Sequence, residues 1–257
     1  MKKVFKNAVL SMLFLLGVVF ICTDSVYALG VIDPFYYGDH KLTGYISDAD
    51  SSAAYTVKIG GKTYKGKLKK NDDFSVSIPG YYKIGTSISV TYKDWYGNTH
   101  KVSSKVKKNP AADVWVYYVY SKHTKVRGYV EQAHKGDIIS IKIGNKTYKT
   151  KVKKDAKKYK FSMNIKKAKA GTKMTITLRN KFNQKLVSWK WKVFTSDVVR
   201  IGMTKKQVSL LAYWSEPDKK NVSAYSEQWC YDDDGDGWTD TYLYFRNGKV
   251  SNWSYSN

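Results

Sequence analysis

Apolar and polar residues alternate with a period of two through most of the chain. Val57 and Ile59 alternate with lysine and threonine, Phe74, Val76 and Ile78 with serines, and Ile88 and Val90 continue to Tyr92 in the next run. Ile141 and Ile143 repeat the first of these patterns further along. Successive side chains of a strand point to opposite faces, so this alternation predicts half-buried strands with one wet face. Gly60-Gly61 and Gly144-Asn145 fall between two such runs, where a tight hairpin needs positive backbone angles. Six or seven short strands in about 85 residues, with no helical stretch among them, predict a β-sandwich.

The pattern occurs twice. VKIGGKTYKGKLKK (57–70) matches IKIGNKTYKTKVKK (141–154) at an offset of 84, which Gly44-Tyr45 and Gly128-Tyr129 share. FSVSI (74–78) matches FSMNI (161–165) at 87, placing three extra residues around Asp155 to Lys158, and GTSISVT (85–91) matches GTKMTIT (171–177) at 86. A register kept this long marks a duplicated module. The order G-Y, V-K-I-G-G-K-T-Y, F-S-V-S-I-P, G-T-x-I-x-V and Asp94-Trp95-Tyr96-Gly97-Asn98 resembles bacterial immunoglobulin-like surface modules over roughly residues 32 to 194. The second copy departs at the end, with Asn180-Lys181-Phe182-Asn183-Gln184. The resemblance implies a fold and a spacer or adhesion context, and no shared catalytic residues.

After Val193 the pattern changes. Thr204-Lys205-Lys206-Gln207 is a capping-box signature. Val208, Leu211 and Ala212 follow at helical spacing until Pro217 ends the element. Strand-like runs at 228–231, 241–245 and 249–254 come next, with Asn247-Gly248 as a turn. One helix region followed by an antiparallel meander predicts a small α+β domain. The words IGMTKKQV, EP, EQWCY and YLYFRNGKV resemble the SmpA/OmlA-like small lipoprotein domain, also the fold of β-lactamase-inhibitor protein, over residues 197–255. Ser215 stands where that pattern has glycine. This resemblance implies function by protein contact, either as a binding head or as a secreted inhibitor of an enzyme. The expected organisation is therefore mainly β: two tandem immunoglobulin-like sandwiches at 29–110 and 111–196, then the α+β domain at 197–257.

Lys2, Lys3 and Lys6 precede an uncharged, mostly apolar run from Ala8 to Ile21, and Val26-Tyr27-Ala28 supplies small residues at the cleavage-determining positions. This is the layout of a secretory signal peptide over residues 1–28, and its apolar run is shorter than the about 20 residues of a spanning helix. Bulky Ile21 before Cys22 argues against lipidation. Cleavage after Ala28 leaves Cys230 as the one thiol, so no intramolecular disulfide is expected and stability must come from cores or bound ions. The expected location is extracellular, associated with the cell surface, with no transmembrane segment after cleavage.

The formal charge is +24, and residues 197–257 hold seven basic against nine acidic groups, so the excess lies in the repeats. It is mostly lysine, including Lys62, Lys65, Lys67, Lys69 and their counterparts Lys146, Lys149, Lys151, Lys153. Such a face keeps a protein soluble and blunts sheet edges. It equally suits electrostatic retention on an anionic cell-wall polymer such as teichoic acid or acidic polysaccharide. Tyr64, Tyr148 and Tyr159 among the lysines make nucleic acid the runner-up, disfavoured by export but open for extracellular DNA. Tyr81-Tyr82 and Tyr117-Tyr118-Val119-Tyr120 are candidates for a carbohydrate-stacking strip, although tyrosine is favoured on strands for packing alone, the preferred reading.

Catalytic chemistry is not expected. His40, His100, His123 and His134 match no zinc spacing, and the region around Cys230 holds no histidine to act as its base. The stretch YDDDGDGWTDTYLYF (231–245) is the one place with site chemistry. Asp232, Asp234 and Asp236 occupy slots 1, 3 and 5 of a calcium loop, Gly237 slot 6 and Asp240 slot 9. Slot 12 is Leu243 instead of a bidentate glutamate, and strands flank the loop. Two readings stand: a calcium site of Asp232, Asp234, Asp236 and Asp240, or a metal-free acidic hairpin tip.

Overall fold

The computed structural model describes residues 30–47, 49–69 and 72–256. The signal-peptide reading of residues 1–28 and its cleavage point lie outside the described residues. By internal contacts the chain divides into two compact units. Of the described residues, unit 1 holds those within 30–33, 41–78 and 88–104, and unit 2 those within 34–40, 79–87 and 105–256.

The first repeat contributes β1 (Gly30–Ile32), β2 (Lys41–Ile46), β3 (Ala54–Ile59), β4 (Lys62–Lys67), β5 (Asp73–Ser77), β6 (Ser87–Lys93) and β7 (Thr99–Lys105). They form a three-stranded sheet ordered β1-β2-β5 and a four-stranded sheet ordered β4-β3-β6-β7. The alternation is realised as expected: Val57, Ile59, Phe74, Val76, Ile88, Val90 and Tyr92 are buried. Tyr55 of β3 packs on Phe74 of β5 with ring centroids 5.3 Å apart, joining the two sheets. Gly60 and Gly61 both take positive φ, 55° and 78°, closing the β3–β4 hairpin in two residues.

The second repeat builds the same arrangement: β8 (Asp113–Val116), β9 (Lys125–Ala133), β10 (Ile138–Ile143), β11 (Lys146–Lys151), β12 (Ala156–Asn164), β13 (Lys173–Arg179) and β14 (Lys185–Lys192). Its sheets are ordered β12-β9-β8 and β11-β10-β13-β14. Gly44 and Gly128 do the same work in the two copies. Each pairs with a phenylalanine across the sheet, Gly44 with Phe74 and Gly128 with Phe161. An added Cβ would lie 2.2 Å from the Val31 carbonyl oxygen at Gly44 and 2.1 Å from that of Trp115 at Gly128. The repeated glycine is thus required by close backbone approach, not by a turn. The loop after β13 also matches that of the first copy despite its different letters. Asp94 Oδ1 accepts from the Tyr96 and Asn98 amides, and Asn180 Oδ1 accepts from those of Phe182 and Gln184.

Within unit 2, segments 34–40 and 79–87 bond to the second repeat. Tyr37 Oη donates to Asp137 Oδ1 at 2.7 Å. The amide of Ile84 donates to Gln184 Oε1, whose Nε2 donates back to the Ile84 carbonyl.

The remaining elements are α1 (Lys205–Val208), β15 (Lys219–Val222), β16 (Ser226–Tyr231), β17 (Thr241–Arg246) and β18 (Lys249–Tyr255), the strands forming one antiparallel sheet in sequence order. The capping box is present in full: Thr204 Oγ1 accepts from the Gln207 amide, and Gln207 Oε1 from the Thr204 amide. The helix, however, is a single turn and does not run to Pro217. Its path is diverted because the Leu210 carbonyl accepts from the Thr195 amide and the Ala212 amide donates to the Ser196 carbonyl. Val208, Leu211 and Trp214 still reach a core with Trp229, Leu243 and Phe245. Cys230 is buried and free, as its strand position suggests, and burial raises its thiol pKa.

Candidate functional site

The acidic stretch is the connection between β16 and β17, held by its own backbone. Asp232 Oδ1 accepts from the Gly235 amide at 2.7 Å and its Oδ2 from the Gly237 amide at 2.9 Å. Gly235 and Gly237 have φ of 82° and 95°, in the left-handed region that a side chain disfavours. Asp240 anchors the other end: its amide donates to the Tyr231 carbonyl, and its Oδ2 accepts from the Asp233 amide at 2.7 Å. Asp218, outside the loop, accepts from the Asp232 amide through Oδ2.

This framework brings three of the four expected ligands together. Carboxylate oxygens of Asp232, Asp234 and Asp240 all lie within 4.8 Å of one another. Asp236 is not in this group, and its Oδ1 accepts from the Trp238 amide at 2.8 Å. Calcium takes oxygens at about 2.3–2.6 Å, so ligands on opposite sides of the ion stand about 5 Å apart. The three carboxylates therefore fit around one such cation. Each ionised oxygen has more than one acceptor position, so the amide bonds to Asp232 leave it able to ligate.

The lysine faces stand where the alternation puts them. Lys62, Lys65, Lys67, Lys146, Lys149 and Lys151 on β4 and β11 are exposed. In unit 2 a groove of about 610 Å³ is lined by Lys149, Lys151, Arg179, Ser140, Thr147 and Thr150. Lys149 and Lys151 enter no ion pair among the described residues. A polyanion can therefore meet these charges without displacing an internal partner.

Two of the histidines, His40 and His134, stand against the same ring, Tyr81, with centroids 5.4 and 5.6 Å away. His100 Nε2 lies 2.8 Å from Asp94 Oδ2 in unit 1. His134 is half-buried in unit 2 against Tyr37 and Tyr81, where desolvation lowers its pKa. Tyr117 and Tyr118 are 58% and 42% exposed while also packing on Tyr129 and Trp191. Trp191, 37% exposed, was not singled out at all. No helix among the described residues is long and apolar enough to cross a membrane.

No protein-family model matches the chain, and no curated protein matches it in sequence. Solved structures similar to it include a two-domain fibronectin type III segment of chicken tenascin, at 9% identity and a TM-score of 0.38, covering 65% of this chain and 97% of that one. A biofilm-associated protein BSP domain matches at 16% identity and a TM-score of 0.28 over 65% of this chain, which spans only 29% of that protein. A 1.5-MDa bacterial ice-binding adhesin, studied for its retention at the host cell surface, matches at 18% identity and a TM-score of 0.25 over 90% of this chain and 88% of that one.

Proposed function

We propose that the chain is a secreted, non-catalytic, cell-envelope-associated protein of binding or adhesion type. Its two immunoglobulin-like repeats, 29–110 and 111–196, contact an anionic wall polymer, and residues 197–257 serve as a protein-contact domain. The observation that carries this reading is the lysine groove beside β11, where cations and hydroxyls line one concave surface with no carboxylate among its described lining residues. Lysine is a hydrated point charge, suited to diffuse attraction along a polymer. The resemblance of 197–257 to SmpA/OmlA-like domains supports protein contact. So does the exposure of Ile201, Val222, Tyr225 and Trp238 there, each above 65%.

The test is co-sedimentation of the chain with isolated cell wall across a salt series. Attraction of this kind works by releasing counter-ions and is screened beyond about 8 Å at physiological ionic strength. Retention at 20 mM salt should fall at least tenfold by about 0.5 M. Undiminished retention in half-molar salt contradicts the electrostatic reading.

Calcium at Asp232, Asp234 and Asp240 belongs to the same proposal, with Asp236 acting on the loop through the Trp238 amide. An ion bound only by the folded chain adds about 2.7 kcal/mol at a hundredfold excess over its Kd. For a unit the size of unit 2 this is a rise in melting temperature of roughly 5–10 °C. Asp234→Asn with Asp240→Asn should abolish the rise. Equal melting temperatures for the parent chain in millimolar calcium and in chelator refute the metal.

A further inference from the structure

A second groove in unit 2, of about 810 Å³, lies between the segment after β8, the start of β9 and Trp191 of β14. Its chemistry differs from that of the lysine groove. Tyr118 and Trp191 stack on each other with centroids 5.3 Å apart and planes 28° from parallel. Both stand edge-on to buried Phe194, at 5.5 and 6.1 Å, which fixes the pair from below. Tyr117 runs beside β9, its amide donating to the Arg127 carbonyl at 3.0 Å. Lys125 and Arg127 are two residues apart on β9 and both exposed, so their cations lie along the same edge as the rings. The strip continues over the sheet, where Trp115 stacks on Tyr129 at 6.3 Å and Lys158 Nζ sits 3.8 Å above the Tyr129 ring.

The fold does not require these aromatics. The first repeat makes the same sandwich with Val31 at the position of Trp115, Asp33 at that of Tyr117, Pro34 at that of Tyr118 and Ser104 at that of Trp191. Rings that the duplicated scaffold can do without, exposed and braced from beneath, are available to a ligand. A ligand matching them needs a flat apolar face for the rings, hydroxyls for the tyrosine Oη groups and Thr124, and negative charge for Lys125 and Arg127. A pyranose carrying a carboxylate has all three. A nucleobase is apolar on both faces and gains most between two rings, but Tyr118 and Trp191 are closed on each other and leave no slot.

We infer that this groove is a glycan subsite that takes acidic sugar residues of a linear polysaccharide by one-sided stacking on Tyr118 and Trp191 and charge pairing with Lys125 and Arg127. The inference rests on the anionic-polymer reading above and adds to it a place and a sugar class. It is tested on the full chain at fixed 150 mM salt with three probes: oligogalacturonate, inorganic polyphosphate and oligothymidylate. Trp191→Ala and Tyr118→Ala should each weaken oligogalacturonate binding tenfold or more and leave polyphosphate binding within twofold of the parent. Because Trp191 also rests on Phe194, Tyr117→Ala, at a side chain 58% exposed, is the companion variant and should cost threefold or more. Parent-like oligogalacturonate affinity in all three variants overturns the glycan subsite and leaves the polymer reading intact. Loss confined to oligothymidylate overturns it in favour of a nucleic-acid groove. Failure of the parent chain to bind either oligogalacturonate or polyphosphate, even at 20 mM salt, removes the polymer reading and the subsite together.

Discussion

Gly128→Ala is expected to destabilise unit 2 by about 3 kcal/mol, near the upper end of ordinary overpacking costs. The usual expectation for glycine in a strand has the opposite sign, since alanine restricts the unfolded chain and gains about 0.4–1 kcal/mol where its Cβ has room. Here it has none. The new Cβ would sit 2.1 Å from the Trp115 carbonyl oxygen and 2.9 Å from Phe161 Cζ. The ring can shift by a rotamer adjustment, but the carbonyl belongs to the paired strand β8 and moves only if the ladder opens. Seven of the eight tryptophans lie in unit 2, so fluorescence in urea reports mainly that unit. The midpoint should fall by about 1–3 M for a slope of about 1–3 kcal/mol/M. An unchanged or higher midpoint refutes the close-packing account. Gly44→Ala should behave alike in unit 1, where the Val31 carbonyl oxygen lies at 2.2 Å.

The second large effect concerns pH. Asp137 is fully buried and its pKa is raised to about 6, with desolvation outweighing the bonds from Tyr37 Oη and the His134 amide. A carboxyl whose pKa is raised by folding holds its proton longer in the folded state. Its contribution to stability is therefore complete below about pH 4 and is lost as pH rises to about 6. Over that interval the loss is roughly 3 kcal/mol. Neighbouring His134 works in the opposite sense, because burial lowers its pKa and folding then opposes its protonation as pH falls below about 6.5. The two flatten each other in the parent curve, and Asp137→Asn separates them. In the variant, Oδ1 can accept from the His134 amide while Nδ2 donates to Tyr37 Oη. Its stability relative to the parent should rise by roughly 3 kcal/mol between pH 4 and pH 7 and level off above. Parallel urea midpoints across this range contradict the assignment.

Much of this architecture could be read from the letters because each strand of the repeats buries one face, and a buried face imposes alternation. The same rule explains β15, which was missed. Lys219–Val222 is exposed at all four positions, so it carries no alternation; it joins β16 by the backbone ladder, the Asn221 Nδ2 bond to Gln228 Oε1 and Lys220 Nζ over the Trp229 ring. The one-turn α1 was overextended for a related reason. Val208, Leu211 and Ala212 do share a buried side, but the periodicity of side chains cannot register that residues 195 and 196 capture the backbone of 210 and 212. At the acidic loop, spacing placed Asp232, Asp234 and Asp240 correctly as neighbours. It missed the aim of Asp236, set by a bond to an amide two residues ahead. Half of the aromatic groove is legible as Tyr117-Tyr118; its other half, Trp191, lies far along the chain and alone reads as an ordinary strand residue.

The duplicated hairpins have a consequence for how the chain reaches its native state. β3–β4 and β10–β11 share almost the same sequence and the same register, Val57 opposite Tyr64 and Ile141 opposite Tyr148. Either first strand could therefore accept the other's second strand during refolding, giving a swapped species of nearly native energy. The safeguard is temporal. A hairpin closed by a two-residue turn forms in about 1–10 μs, whereas pairing across 84 residues must first close a far longer loop. Gly60-Gly61 and Gly144-Asn145 thus act as kinetic proofreaders that commit each strand to its own copy. Lengthening either turn should shift the refolding yield toward exchange while leaving the native topology available.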